Sequence, residues 1–150
     1  MTRLFTIGYE QATSAAVLDA LRRAKVDLLV DVRAVAASRR PGFSKRQLAA
    51  GLDEAGIGYL HMQKLGTPKE GRLAARGGEP AKMLRVYEKH LATPEAREEL
   101  DALEALIRSK RRICLLCYER NPQECHRRRL AELMRQRTGA GAEDLIPRLA

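Results

Sequence analysis

The chain has 150 residues, 45% apolar and 31% charged, with a formal net charge of +9 and three cysteines. That length suits one domain with its own core, and the balance excludes a fibrous or disordered chain. No apolar run approaches the roughly 18 residues that a membrane-spanning helix needs, so no membrane partner is expected.

Met1 to Thr6 runs directly into a strand-like pattern without a signal peptide, and three cysteines are too few for a disulfide framework, so a cytoplasmic chain with reduced thiols is expected. The positive charge draws anionic partners, a small phosphate-bearing molecule or a nucleic acid. Solvated arginines on helix faces give the same balance without any such partner.

The apolar pattern predicts a short buried strand over Leu4–Ile7, punctuated by Gly8-Tyr9. A helix follows, capped by Thr13 or Ser14, with Val17, Leu18, Leu21 and Ala24 on one face. Leu28-Leu29-Val30 has the unbroken apolar character of an interior parallel strand and ends in Asp31-Val32-Arg33. After a loop bearing Ser38-Arg39-Arg40-Pro41-Gly42, Ser44 to Gln47 has capping-box spacing and opens a helix that stops at Gly56.

Ile57 to His61 is the third strand, and Gly66 to Gly78 reads as a long irregular excursion. Helices are predicted over Pro80–Leu91 and Pro94–Ser109, the second with Leu100, Leu103, Leu106 and Ile107 as its inner stripe. Ile113 to Cys117 is apolar enough for a central strand. A last helix begins at Cys125 or His126 and runs to Arg137, and Asp144-Leu145-Ile146 closes the sheet. Alternating elements of this kind imply an α/β fold: a mainly parallel sheet of four to five strands covered by helices in a Rossmann-like three-layer arrangement, with right-handed crossovers.

Ligands of such sheets bind beyond the carboxyl ends of the strands, where Tyr9, Asp31, Arg33, His61 and Cys117 would then share one rim. The densest segment runs from Cys117 to Arg129. A thiolate at Cys117 or Cys125 is a candidate nucleophile, since arginine and a helix start both favour the anion; a buried structural cysteine is the alternative. Cys114 and Cys117 have redox spacing, but residues three apart on a strand face opposite ways, so Cys114 is assigned to the core.

Proton-transfer roles fall to His126, Asp31 and Glu119, with Glu119 equally able to serve a helix dipole. Asp31 either orients His126 or simply pairs with Arg33. Anion binding is assigned to Tyr9, Arg33, Arg39, Arg40 and Arg127, joined by the backbone N–H groups that open the last helix. Arg127, Arg128 and Arg129 fan around that helix, so not all three can face the site. Cys117, Cys125 and His126 form a weaker metal-binding alternative that lacks paired ligand spacing. No cofactor motif is present and the oligomeric state is not indicated.

Thr6-Ile7-Gly8-Tyr9-Glu10, Val30-Asp31-Val32-Arg33, Ser38 to Ser44, Leu65-Gly66, Leu115 to Glu119 with Pro122, and Cys125-His126-Arg127 together resemble the signature blocks of the domain of unknown function 488 family. Gln11 stands where similar chains often carry Gly, and Ala37 where they often carry Pro or a larger apolar residue. The resemblance implies an α/β fold and no particular reaction. A second, weaker likeness is to rhodanese-type sulfurtransferases, in which an Asp-x-Arg strand end faces a strand-end cysteine. Three functions follow as alternatives: an enzyme acting on a phosphate-containing substrate, a nucleic-acid-binding module without catalysis, and a sulfur-transfer or metal-binding thiol protein.

Overall fold

The computed structural model describes residues 3–150. Met1 and Thr2, part of the N-terminal stretch expected to run directly into a strand, lie outside the described residues. Strands β1 (Leu4–Gly8), β2 (Leu28–Asp31), β3 (Gly58–His61), β4 (Ile113–Cys117) and β5 (Ala142–Leu145) form one sheet in the order β3-β2-β4-β1-β5, and every pairing is parallel. Helices α1 (Ser14–Arg23), α2 (Lys45–Glu54), α3 (Lys69–Arg76), α4 (Pro80–Leu91), α5 (Pro94–Arg108) and α6 (Arg127–Thr138) cover it. The three-layer α/β arrangement expected from the alternating pattern is therefore present.

Period-two alternation sorts the strand residues between two cores. Phe5, Ile7, Leu29, Cys114 and Leu116 pack with Val17 and Leu21 of α1 and Leu48 and Leu52 of α2. Leu4, Leu28, Val30, Ile113, Leu115 and Cys117 pack with Tyr87 of α4, Leu100 and Leu103 of α5, and Leu130 and Met134 of α6. Each such aliphatic side chain contributes about 1.5–3 kcal/mol by leaving water. Cys114 and Cys117 fall on opposite faces, and Cys114 is core.

Three expectations are corrected. The excursion from Gly66 to Gly78 contains α3, whose lack of an apolar stripe hid it; Gly71 lets the helix sit against Thr67 and Val86, where an added Cβ would meet both side chains. The capping box at Ser44 does not form, because the Ser44 hydroxyl donates to the Ser38 carbonyl at 3.0 Å and accepts from the Ser38 N–H at 3.2 Å, while Gln47 accepts from Gly42. The closing strand starts earlier, at Ala142, and Asp144 accepts from the Thr6 hydroxyl of β1. By contrast, Thr13 caps α1 as expected, accepting from Ala16 at 3.1 Å. Gln11 adopts a φ of 62°, the left-handed conformation in which glycine is at ease. No helix among the described residues is long and apolar enough to cross a membrane.

Candidate functional site

Because all the strands run one way, their carboxyl ends form a single rim, and the register sets Gly8 beside Cys117, Leu116 beside Asp31, and Asp31 beside His61. Two groups of side chains meet there.

The first group is built on the exit of β2. Arg33 turns back so that Nε and Nη2 donate to the two carboxylate oxygens of Asp31, at 2.9 and 2.7 Å. Its Nη1 donates to the Tyr9 hydroxyl at 3.2 Å and to the Phe43 carbonyl at 2.7 Å, so every guanidinium nitrogen has a protein partner. Asp31 also accepts from the Tyr59 hydroxyl at 2.6 Å. Asp31 is fully buried and Arg33 nearly so.

Burial alone would push the Arg33 guanidinium down, but the hydrogen bond and the charge of Asp31 outweigh it and hold the group above the ordinary arginine value. Burial and the bond to Asp31 push the Tyr59 phenol up. The result is a clamp joining β1, β2, β3 and the loop before α2. Asp31 thus pairs with Arg33.

The second group is the turn after β4. Asn121 accepts from the Gln123 N–H at 3.0 Å, starting a 3-10 turn over Pro122–Glu124 that sends the chain back. Cys125 thereby meets Cys117, and the two are joined as a disulfide with Cα atoms 7.4 Å apart, which corrects the expectation of three reduced thiols: the return of the chain brings together sulfurs that lie eight residues apart in sequence.

His126 Nε2 lies 2.7 Å from the Val32 carbonyl oxygen. A carbonyl only accepts, so Nε2 carries the proton, and the Nδ1 lone pair faces Cys125 Sγ at 3.7 Å. Burial pushes the imidazole down to about 4, leaving it neutral near pH 7, and Tyr87 packs edge-on against its ring. Asp31 does not orient His126, contrary to one expectation, because its oxygens are taken by Arg33 and Tyr59. His61 holds the adjoining carbonyl of Arg33 at 2.7 Å, so the two histidines fasten successive residues of the β2 exit.

Arg127 is the largest fully buried side chain. Its Nη1 donates to the Glu119 carbonyl at 2.6 Å and to Cys117 Sγ at 3.3 Å, and its Nη2 to the Arg120 carbonyl at 3.3 Å. Its Nε has no partner, and among the described residues no carboxylate forms an ion pair with it. Burial pushes the guanidinium down. The Glu119 carboxylate lies 3.4 Å from Cys117 Sγ, and burial raises its pKa. Gly8 permits this closeness, since a Cβ there would run into the Glu119 carbonyl and lie 3.1 Å from Arg127 Nη1.

The expected anion-binding residues divide. Arg127 is at the rim but turned inward onto carbonyls and sulfur, whereas Arg128 and Arg129 point away and pair with Glu132 and Glu88, as the fan around the helix requires. Tyr9 stacks on Phe43, with centroids 4.4 Å apart, and meets Tyr118 edge-on. Arg40 donates to the Tyr9 and Ala12 carbonyls, pinning its loop to the β1 exit, while Arg39 is exposed.

Tyr59 was not foreseen, although it stands two residues before His61 on β3, the spacing that puts both on one face. Two clefts, of about 500 Å³ beside Arg3 and Gly139 and about 240 Å³ beside α1, open away from this rim.

A family model described as "Domain of unknown function DUF488" matches residues 13–134, most of the chain. No curated protein and no solved structure matches.

Proposed function

The chain belongs to the DUF488 family, a membership that specifies no reaction, and we propose from the site that it is a cytoplasmic thiol enzyme that handles sulfur through Cys117 and Cys125. The observation that carries this reading is that the two sulfurs meet while each has its own polar neighbour, Arg127 Nη1 beside Cys117 and the His126 Nδ1 lone pair beside Cys125. A purely structural disulfide needs neither a cation nor a base against its sulfurs. A reactive thiol pair uses both.

In the proposed cycle the Cys117 thiolate attacks one sulfur of a substrate disulfide or persulfide, and the far sulfur leaves with the bonding pair. Cys125, its thiol held against the His126 Nδ1 lone pair, then attacks Cys117 and expels the remaining substrate thiolate, which takes up the Cys125 proton. The dithiol is oxidised to the Cys117–Cys125 disulfide by two electrons, the substrate is reduced by two, and an external dithiol resets the pair. Glu119, beside Cys117, protonates the departing thiolate.

Reaction of the reduced chain with a chromogenic aromatic disulfide tests this. The expected outcome is release of two aromatic thiols, a halt at one with a stable mixed disulfide in Cys125→Ser, and a rate no faster than a model thiol in Cys117→Ser. Slow, equal reaction of all three chains would leave the cysteines structural.

A second reading, an anionic partner bound beside the thiol site, is favoured by one observation. Lys69, Arg72 and Arg76 of α3 and Lys82, Arg85 and Lys89 of α4 recur at helical spacing, and among the described residues none forms an ion pair. Nucleic acid held there is expected to bind with affinity that falls steeply as salt rises, readable by anisotropy. A flat salt response counts against it.

A further inference from the structure

We infer that the reduced Cys117–Cys125 pair takes up one zinc-class divalent cation with His126 as third ligand, so that metal loading and disulfide formation are alternative states of one turn. The inference rests on the same reduced pair that the proposed function uses.

The ligand atoms of Cys117, Cys125 and His126 all lie within 4.8 Å of one another, and all three side chains are buried. His126 is presented as metal-binding histidines are: its Nε2–H is engaged by a backbone carbonyl, that of Val32, and its Nδ1 lone pair points at the sulfurs. Tyr87 against the ring keeps it from swinging away. The Cα atoms of the cysteines stand 7.4 Å apart, wider than the roughly 4.4–6.8 Å usual for a disulfide, so the opened pair has room for an ion between its sulfurs.

Charge completes the case. Two thiolates meet a single guanidinium, that of Arg127, and a divalent cation offsets the negative charge that remains. Two soft sulfurs and an imidazole select zinc over magnesium or calcium. In sequence the ligands are separated by Tyr118 to Glu124 and lack zinc-finger spacing; only the return at Asn121-Pro122 brings them together.

The test titrates Zn²⁺, and Co²⁺ as its spectroscopic substitute, into the 150-residue chain after stripping metal, once reduced and once with the disulfide formed. The reduced chain is expected to take up one equivalent of Co²⁺ with thiolate charge-transfer absorption and the visible bands of a tetrahedral site. The oxidised chain is expected to take up none, and re-reduction to restore the uptake. Using one polypeptide in two redox states frees the result from any folding defect of a variant. His126→Gln is expected to weaken binding by more than the roughly 10–100-fold that loss of an outer-shell partner costs.

Absence of saturable uptake by the reduced chain, equal uptake after oxidation, or the weak bands of an octahedral oxygen site would overturn the inference. Missing uptake with intact disulfide exchange defeats the metal site alone. Intact uptake with no exchange defeats the proposed enzyme and leaves the metal site standing.

Discussion

Asp31→Asn is expected to lower the unfolding free energy by about 3–5 kcal/mol, the range for removing one partner of a buried ion pair. The substitution preserves shape and leaves an oxygen for the Tyr59 hydroxyl, so the loss comes from charge. Arg33 would keep its positive charge in a place nearly closed to water, with its Nε and Nη2 donors facing a neutral amide in place of a carboxylate. The guanidinium cannot shed its proton to escape, so the penalty must appear as stability.

Urea unfolding followed by circular dichroism reads the effect as a lower midpoint with an unchanged slope. The double variant Asp31→Asn with Arg33→Met is expected to recover part of the loss, because it removes the stranded charge too, although the Tyr9 hydroxyl and the Phe43 carbonyl then lose their donor. A loss under about 1 kcal/mol in the single variant, typical of a solvated surface pair, would contradict the clamp.

The clamp was half legible in the sequence. Asp31 and Arg33 could be placed at a strand end because the apolar run Leu28 to Val30 stops there, and a parallel sheet gathers such ends on one rim. Tyr59 and the Phe43 carbonyl could not be assigned to them, since both arrive from other parts of the chain and only tertiary packing brings them near.

Cys117 and Cys125 follow the same logic. Period two separates Cys114 from Cys117 without further information, but a stretch of seven residues does not say whether the chain returns. The return depends on the Asn121 side chain and on Pro122, local turn chemistry that is visible once its consequence is known. α3 was hidden for the opposite reason: Leu73 and Ala74 do not make a stripe, and the helix is held by its packing against α4.

Arg127→Met is expected to slow the reaction of Cys117 with a small disulfide by about 10–100-fold near neutral pH. Arg127 Nη1 lies 3.3 Å from Cys117 Sγ. A hydrogen bond to a charged group contributes about 1.5–3 kcal/mol, and about 1.4 kcal/mol is a factor of ten, so losing this donor lowers the equilibrium constant for forming the thiolate by about 10–100-fold. Only the thiolate attacks, and its population falls in proportion.

The same cation also donates to the Glu119 and Arg120 carbonyls, so the Met variant loosens the turn, and stability must be measured beside rate. Two comparisons separate the roles. Arg127→Lys restores a charge but not the planar fork, and is expected to recover part of the rate and little of the packing. Raising the pH until the thiol of the Met variant ionises should close the gap with the parent chain if the guanidinium acts on the thiolate, and should leave it open if the turn has merely lost its shape. A folded Met variant reacting at the parent rate at neutral pH would assign Arg127 to packing alone.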